Sequence, residues 1–211
     1  IDNELKVDAK KEESKIKMLL LGAGESGKST IFKQMRLLYG TERDDDDIRM
    51  FGVVVRSNIL VVTRKLCVHL RSLGLEGELD SNKSVRQAYD VLIDHLVDRS
   101  APPQDPVVAG GDWVGQSARA GAAANNDAEI FLTYHKSIQI VWQAKAMRKV
   151  WAKRAASNVV DSHKSFLDEI TRISSPDYKP TTQDVLCARV RTTHIIVEEY
   201  NIDGTDYEMY D

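Results

Sequence analysis

Cysteine is nearly missing from this sequence. Its 211 residues contain two, Cys67 and Cys187, far apart and in no C-x-x-C pair. That spacing offers neither a zinc site nor a disulfide framework, and it suits a reducing cytosol. No apolar run has the length a membrane span needs, and no secretory leader is visible. With a net charge of −3, the chain lacks the basic field that would advertise nucleic acid or an anionic membrane. An initiating methionine is also lacking: the chain begins at Ile1 and stops at Asp211, and is expected to be cut at both ends. What remains, 42% apolar and 29% charged residues, is an ordinary globular composition with room for one large domain or two small ones. Asn82-Lys83-Ser84 matches a glycosylation acceptor and, without a leader, reads as ordinary surface sequence.

The most informative stretch is Gly22-Ala23-Gly24-Glu25-Ser26-Gly27-Lys28-Ser29-Thr30, which fits G-x-x-x-x-G-K-[ST]. Glycines let the backbone turn tightly enough for successive N–H groups to surround an anionic phosphate. A helix opening at Lys28 adds the positive end of its dipole at the same place. Lys28 reaches the β/γ-phosphates as a point charge, and the Ser29 hydroxyl is a ligand for Mg²⁺. The flanks agree with this reading. Lys15 to Leu21 reads as a strand that starts exposed and ends fully buried. Ile31, Met35 and Leu38 then repeat at helical spacing, with Lys33, Gln34 and Arg36 on other faces, until Gly40 ends the helix.

Past this point the pattern becomes helical. Asp44 to Asp47 reads as the solvated start of a helix rather than a metal cluster. From Ile48 to about Leu73 the residues Phe51, Val55, Ile59, Val62, Leu66 and Leu70 predict a long amphipathic helix, with His69 at its surface or boundary. A second helix is expected from Ser84 to Asp98. Ser100 to Asn126 reads as a loop pinned by Trp113. Further helices are expected from Asp127 to Trp142, on to about Ser157, and from Asp161, as N-cap, to about Ile173. Trp142 and Trp151 read as core anchors. The period then changes: Thr193 to Asn201 and Thr205 to Tyr210 read as strands joined by an Asp203-Gly204 hairpin turn.

The phosphate loop, together with Pro180-Thr-Thr-Gln-Asp-Val-Leu leading through Cys187-Ala188 into Arg189-Val-Arg-Thr-Thr193 and with the closing Tyr210-Asp211, resembles the α-subunits of heterotrimeric G proteins. The resemblance covers nearly the whole chain and is weakest from Ser100 to Asn126. It implies an α/β, Ras-like P-loop GTPase fold, incomplete here, at 15–43 and 184–211. An all-α helical domain would be inserted at 46–180, after a partial amino-terminal arm at 1–14. It also implies a guanine nucleotide-binding switch that hydrolyses GTP to GDP and phosphate with Mg²⁺. Nucleotide would be held by Gly24, Glu25, Ser26, Gly27, Lys28, Ser29, Thr30, Asp161, Ser162, Leu186, Cys187, Ala188 and Arg189. Arg189 would be the catalytic arginine finger, and Ser29, Thr192 and Asp211 would hold the metal. Expected partners are a βγ dimer, a G protein-coupled receptor and an effector, at the cytoplasmic face of the plasma membrane, through a lipid anchor not visible in this chain. No nucleic-acid partner and no transmembrane segment are expected.

Cys187 and His194 depart from the family pattern, which usually has arginine and glycine there; Met147 and its neighbours differ as well. The segments that position the attacking water and select guanine would lie beyond Asp211, so this chain alone is expected to hydrolyse GTP poorly. Two other readings stand beside this one: a phosphate-loop kinase or ATPase, and an inactive relative that works only through protein partners.

Overall fold

The computed structural model describes residues 14–22, 26–39, 45–97, 108–109, 119–120, 122–190 and 197–210. Strand β1 (Ile16–Leu19) leads through the glycine loop into helix α1 (Lys28–Tyr39). Helix α2 (Asp45–Ser72) opens inside the acidic run, three residues before the periodicity suggested. Helix α3 (Lys83–Leu92) follows, and a π-helical turn at Ile93–Val97 carries its apolar face onward. Asn82 proves to be the cap of α3, its side chain accepting from the Ser84 and Val85 amides at 3.0 and 3.3 Å.

The stretch read as a loop contains a short antiparallel pair, β2 (Val108–Ala109) and β3 (Arg119–Ala120). Helix α4 (Ala122–Trp142) starts earlier than Asp127. After it come α5 (Lys145–Ala152), α6 (His163–Asp168), α7 (Ile170–Ile173) and α8 (Thr182–Cys187). Strands β4 (Val197–Ile202) and β5 (Thr205–Tyr210) close the described chain as a hairpin, with Asp203 and Gly204 at φ 50° and 81° as the turn requires. In the sheet, β1 pairs parallel with β5 and β5 pairs antiparallel with β4.

Three expectations are corrected here. The first strand does not end buried: Leu19 is 64% and Leu21 80% exposed. β1 has β5 on one side, and no further strand beside it among the described residues. Helix α1 does not bury the face expected of it. Phe32 and Lys33 are buried, whereas Ile31 and Leu38 face outward. Helix α2 is not amphipathic in its middle but buried all round: Val54, Val55 and Ile59 to Arg64 are all enclosed. It is the axis about which α3 to α8 pack.

Several buried polar groups along that axis are tied to a neighbouring helix or to the helix itself. The Ser57 hydroxyl donates to Asp127 at 3.1 Å, Arg64 pairs with the same carboxylate at 3.2 Å, and the Thr63 hydroxyl donates to the Ile59 carbonyl at 2.8 Å. Trp142 and Trp151 are half-buried and meet edge to face at 5.3 Å, with the Trp142 indole donating to Asp168 at 2.9 Å.

The segment leading into α8 is held by a clasp. Arg56 of α2 donates to the Ile173 and Ser175 carbonyls at 3.1 and 2.9 Å. Its guanidinium and that of Arg172 both stack on the Tyr178 ring, at 5.5 and 5.3 Å. Arg172 also grips Asp184 with two bonds of 2.9 Å. Asp184 and Thr181 form a reciprocal capping box that starts α8, with bonds of 2.8 and 3.1 Å.

Burial by itself raises the Asp184 carboxyl, but the Arg172 guanidinium and the Thr181 amide and hydroxyl outweigh it and hold the group below its usual range. The ionised form is therefore favoured by folding. Its contribution is present above the unfolded value near 4 and is lost as pH falls through the lower folded value. Asp184→Asn should lower stability at neutral pH by about 1–3 kcal/mol, limited by the solvent exposure of Arg172. It should also flatten the acid limb of a denaturant-melt series below pH ~4.

Candidate nucleotide-binding site

Local chemistry shapes the loop between β1 and α1. Gly27 sits at φ 91°, a left-handed conformation that suits glycine, and its carbonyl accepts from both the Thr30 and Ile31 amides at 3.0 Å. A Cβ on Gly22 would come within 2.5 Å of the Ser26 hydroxyl, which would then have to turn away. The Lys28 ammonium reaches back across the loop to donate to the Gly22 carbonyl at 2.8 Å. The two ends of the motif are thus joined by the side chain that its pattern singles out. Ser26 and Thr30 are exposed, and Ser29 is half-buried in the first turn of α1.

The carboxyl end of β5 arrives beside this loop. The Tyr210 carbonyl accepts from the Leu20 amide at 2.9 Å, in register with Tyr210 opposite Leu19. Tyr210 is the residue before Asp211. Among the sequence-predicted site residues, Gly24, Glu25, Thr192 and Asp211 lie outside the described residues. His194 does too.

The segment after α8 is brought against α1 and α2. Leu186 and Cys187 are half-buried, and Cys187 takes a bond from the Gln183 amide at 3.1 Å. Ala188 is buried, and its carbonyl accepts from the ammonium of Lys33. Lys33 lies four residues after Ser29 and on the same face of α1. The Arg189 amide donates to Asn58 Oδ1 at 2.6 Å, and Asn58 Nδ2 donates to the Arg189 carbonyl at 2.9 Å. The helix that begins at the glycine loop therefore holds, one turn later, the residue next to Arg189.

Asp161 and Ser162 are not joined to this group by any described bond. Asp161 is exposed and paired with Arg154, whose guanidinium lies over Trp151 at 5.1 Å. It is not an N-cap: α6 begins at His163, and the residue before it, Ser162, makes no side-chain cap bond. The Ser162 carbonyl takes the Ser165 hydroxyl at 2.7 Å. Arg154 competes successfully for the carboxylate that a helix cap would have used.

Lys33 and Asn58 were not legible as site residues. Lys33 reads as one of the polar residues on the other faces of α1, yet it is 6% exposed. Desolvation pushes its ammonium down to about 8 against a smaller opposing effect from Cys187. A lysine lowered by burial costs stability while charged, so stability should rise as pH climbs from about 8 toward the ordinary lysine value near 10.5. Relative to Lys33→Met, the wild type should gain stability over that window in paired urea melts; parallel curves would refute the burial effect. The one available signal for Asn58 was its position, a poor helix former amid Val55, Ile59 and Leu60.

The profile of the G-protein alpha subunit family matches residues 1–211. The chain belongs to that family. It is 32% identical over 211 residues to the G-protein complex alpha subunit gpaA of Aspergillus fumigatus and, over the same length, 32% identical to a guanine nucleotide-binding protein subunit alpha of Cryphonectria parasitica. Identity to the guanine nucleotide-binding protein alpha-17 subunit of Caenorhabditis elegans is 28%. In each case all of this chain is covered but 52% of the relative, so the chain spans about half the length of the curated relatives it matches. The family carries the P-loop GTPase fold, in agreement with the strand and the helix that flank the glycine-rich motif.

Proposed function

We propose that this chain is the nucleotide-binding part of a signal-transducing switch that binds GTP and hydrolyses it to GDP and phosphate. The observation that carries the reading is the juxtaposition built on α1. Lys28 and Ser29 stand at its amino-terminal end, and Lys33, one turn on, holds the main chain beside Arg189. An anion cradle at the start of α1 and an arginine whose neighbour is tied to that helix suit phosphoryl transfer, in which positioning and electrostatics carry the chemistry.

In this reading, the amides of Gly24 to Thr30 and the Lys28 ammonium hold the β- and γ-phosphates, and Arg189 meets the charge that develops on the γ-phosphate. Leu186, Cys187 and Ala188 line the nucleotide from the α8 side, and Asp161 and Ser162 face it from across the cleft. Hydroxyl and carboxylate oxygens suit Mg²⁺, and the donors Ser29, Thr192 and Asp211 fit that chemistry. Among the described residues, no cluster of three or more His, Cys, Asp or Glu offers a rival metal site. When bound, Mg²⁺ would offset phosphate charge.

The helices between 46 and 180 act as an inserted domain that covers the nucleotide and slows its release. The βγ dimer, receptor and effector of such a switch would be met at the cytoplasmic face of the plasma membrane. Among the described residues, no helix is long and apolar enough to cross a membrane.

The test is competition between GTP, GDP and ATP for a fluorescent guanine nucleotide in the presence of Mg²⁺, in this chain and in the full-length protein. Guanine preference in the full-length protein with tight binding supports the switch. Preference for ATP would favour a kinase or ATPase, and no binding at all a role through protein partners alone.

A further inference from the structure

We propose that Asn58, assisted by Lys33, is a positioning residue that fixes the main chain of Arg189 relative to the phosphate loop. The inference rests on the role proposed above for Arg189. A primary amide both donates and accepts, and Asn58 uses the two functions on one residue, accepting from the Arg189 N–H at 2.6 Å and donating to the Arg189 carbonyl at 2.9 Å. The contact spans 131 positions of sequence, so it belongs to the tertiary structure and not to a local turn.

Asn58 is 2% exposed in the centre of α2. There an amide lowers helix propensity and would incur a desolvation cost without a partner. An apolar residue would serve a purely structural helix better. Lys33 makes the second tie, from α1 to the Ala188 carbonyl. Two elements thus grip consecutive residues of the α8 exit, and one of them begins at the glycine loop. The guanidinium swings from a Cα whose position is set from both sides, while none of these bonds uses the Arg189 side chain.

This arrangement predicts loss of rate without loss of binding. A displacement of a catalytic group by about 1 Å is worth ~100-fold in rate, so Asn58→Ala should slow single-turnover GTP hydrolysis about 10- to 100-fold in the full-length protein, with GTP affinity unchanged. In an Arg189→Ala background the same substitution should have no further effect, because there is then no guanidinium to misplace.

A second readout, on the 211-residue chain itself, is amide hydrogen exchange. Asn58→Ala should bring the Arg189 amide toward the exchange rate of an exposed group while Ile59 to Leu70 stay protected. Lys33→Met, which keeps most of the buried stem, should loosen Arg189 in the same direction and covers the case in which Asn58→Ala does not fold. Unchanged exchange at Arg189 in a folded variant overturns the clamp. Equal rate losses with and without the Arg189 side chain overturn positioning and leave Asn58 a structural residue. If Arg189→Ala alone leaves hydrolysis intact, the arginine role fails and positioning falls with it, while exchange still reports whether the clamp exists.

Discussion

Replacing Lys28 with alanine is expected to weaken GTP and GDP binding by about 10- to 100-fold, the loss that follows from removing one charge-assisted contact worth ~1.5–3 kcal/mol. Two effects act in the same direction. The ammonium is the cation that the motif itself supplies, and it also ties the loop by donating to the Gly22 carbonyl at 2.8 Å. Folding should respond differently. Lys28 is the first residue of α1, where a positive charge opposes the helix dipole. Without nucleotide, the relieved dipole and the lost Gly22 bond oppose each other, so Lys28→Ala should stay within about 1 kcal/mol of the wild type. A residue whose removal costs binding far more than folding is better explained by its ligand than by the fold. Titration of a fluorescent guanine nucleotide and thermal melts of the ligand-free proteins separate the two effects. Equal affinities for the two proteins would remove Lys28 from the site.

What the sequence disclosed and what it concealed differ in range. Gly27 and the Asp203-Gly204 turn were readable because their conformations, at φ 91°, 50° and 81°, depend on residues in contact along the chain. The length of α2 was readable for the same reason. Its complete burial was not, because periodicity reports one apolar stripe and cannot count the helices that pack around it. Lys33 shows the limit most clearly. Beside Gln34 and Arg36 it reads as a polar residue off the apolar face, yet a carbonyl 155 positions away and the ring of Phe51, 5.9 Å from its ammonium, enclose it. Asp161 errs in the other direction. Its residue type favours a cap, but Arg154 takes the carboxylate and the helix starts two residues later. The exposed end of β1 has a similar cause: an apolar strand announces that it is to be covered, not which segment covers it.

Arg189→Ala should lower the rate of GTP hydrolysis in the full-length protein by about 10³-fold or more, while leaving nucleotide affinity close to that of the wild type. The magnitude is the range of 10³–10⁵ that arginine fingers of this enzyme class supply, not a quantity obtained from the present distances. It corresponds to at least ~4 kcal/mol of transition-state stabilisation. The geometry supplies the other half of the prediction. Both bonds to Asn58 use the Arg189 main chain, and Lys33 holds the carbonyl of Ala188. Alanine keeps every one of these ties, so the main-chain clamp on residue 189 should survive in Arg189→Ala. Arg189→Lys should recover little of the lost rate, because a compact ammonium lacks the planar fork that spans two oxygens. Single-turnover hydrolysis, nucleotide binding and a thermal melt on the same three proteins decide the matter. A fall in affinity matching the fall in rate would make Arg189 a ground-state binding residue, and a fall in stability would make it part of the fold. A loss confined to rate is the signature of a group that acts only as charge develops on the departing phosphate.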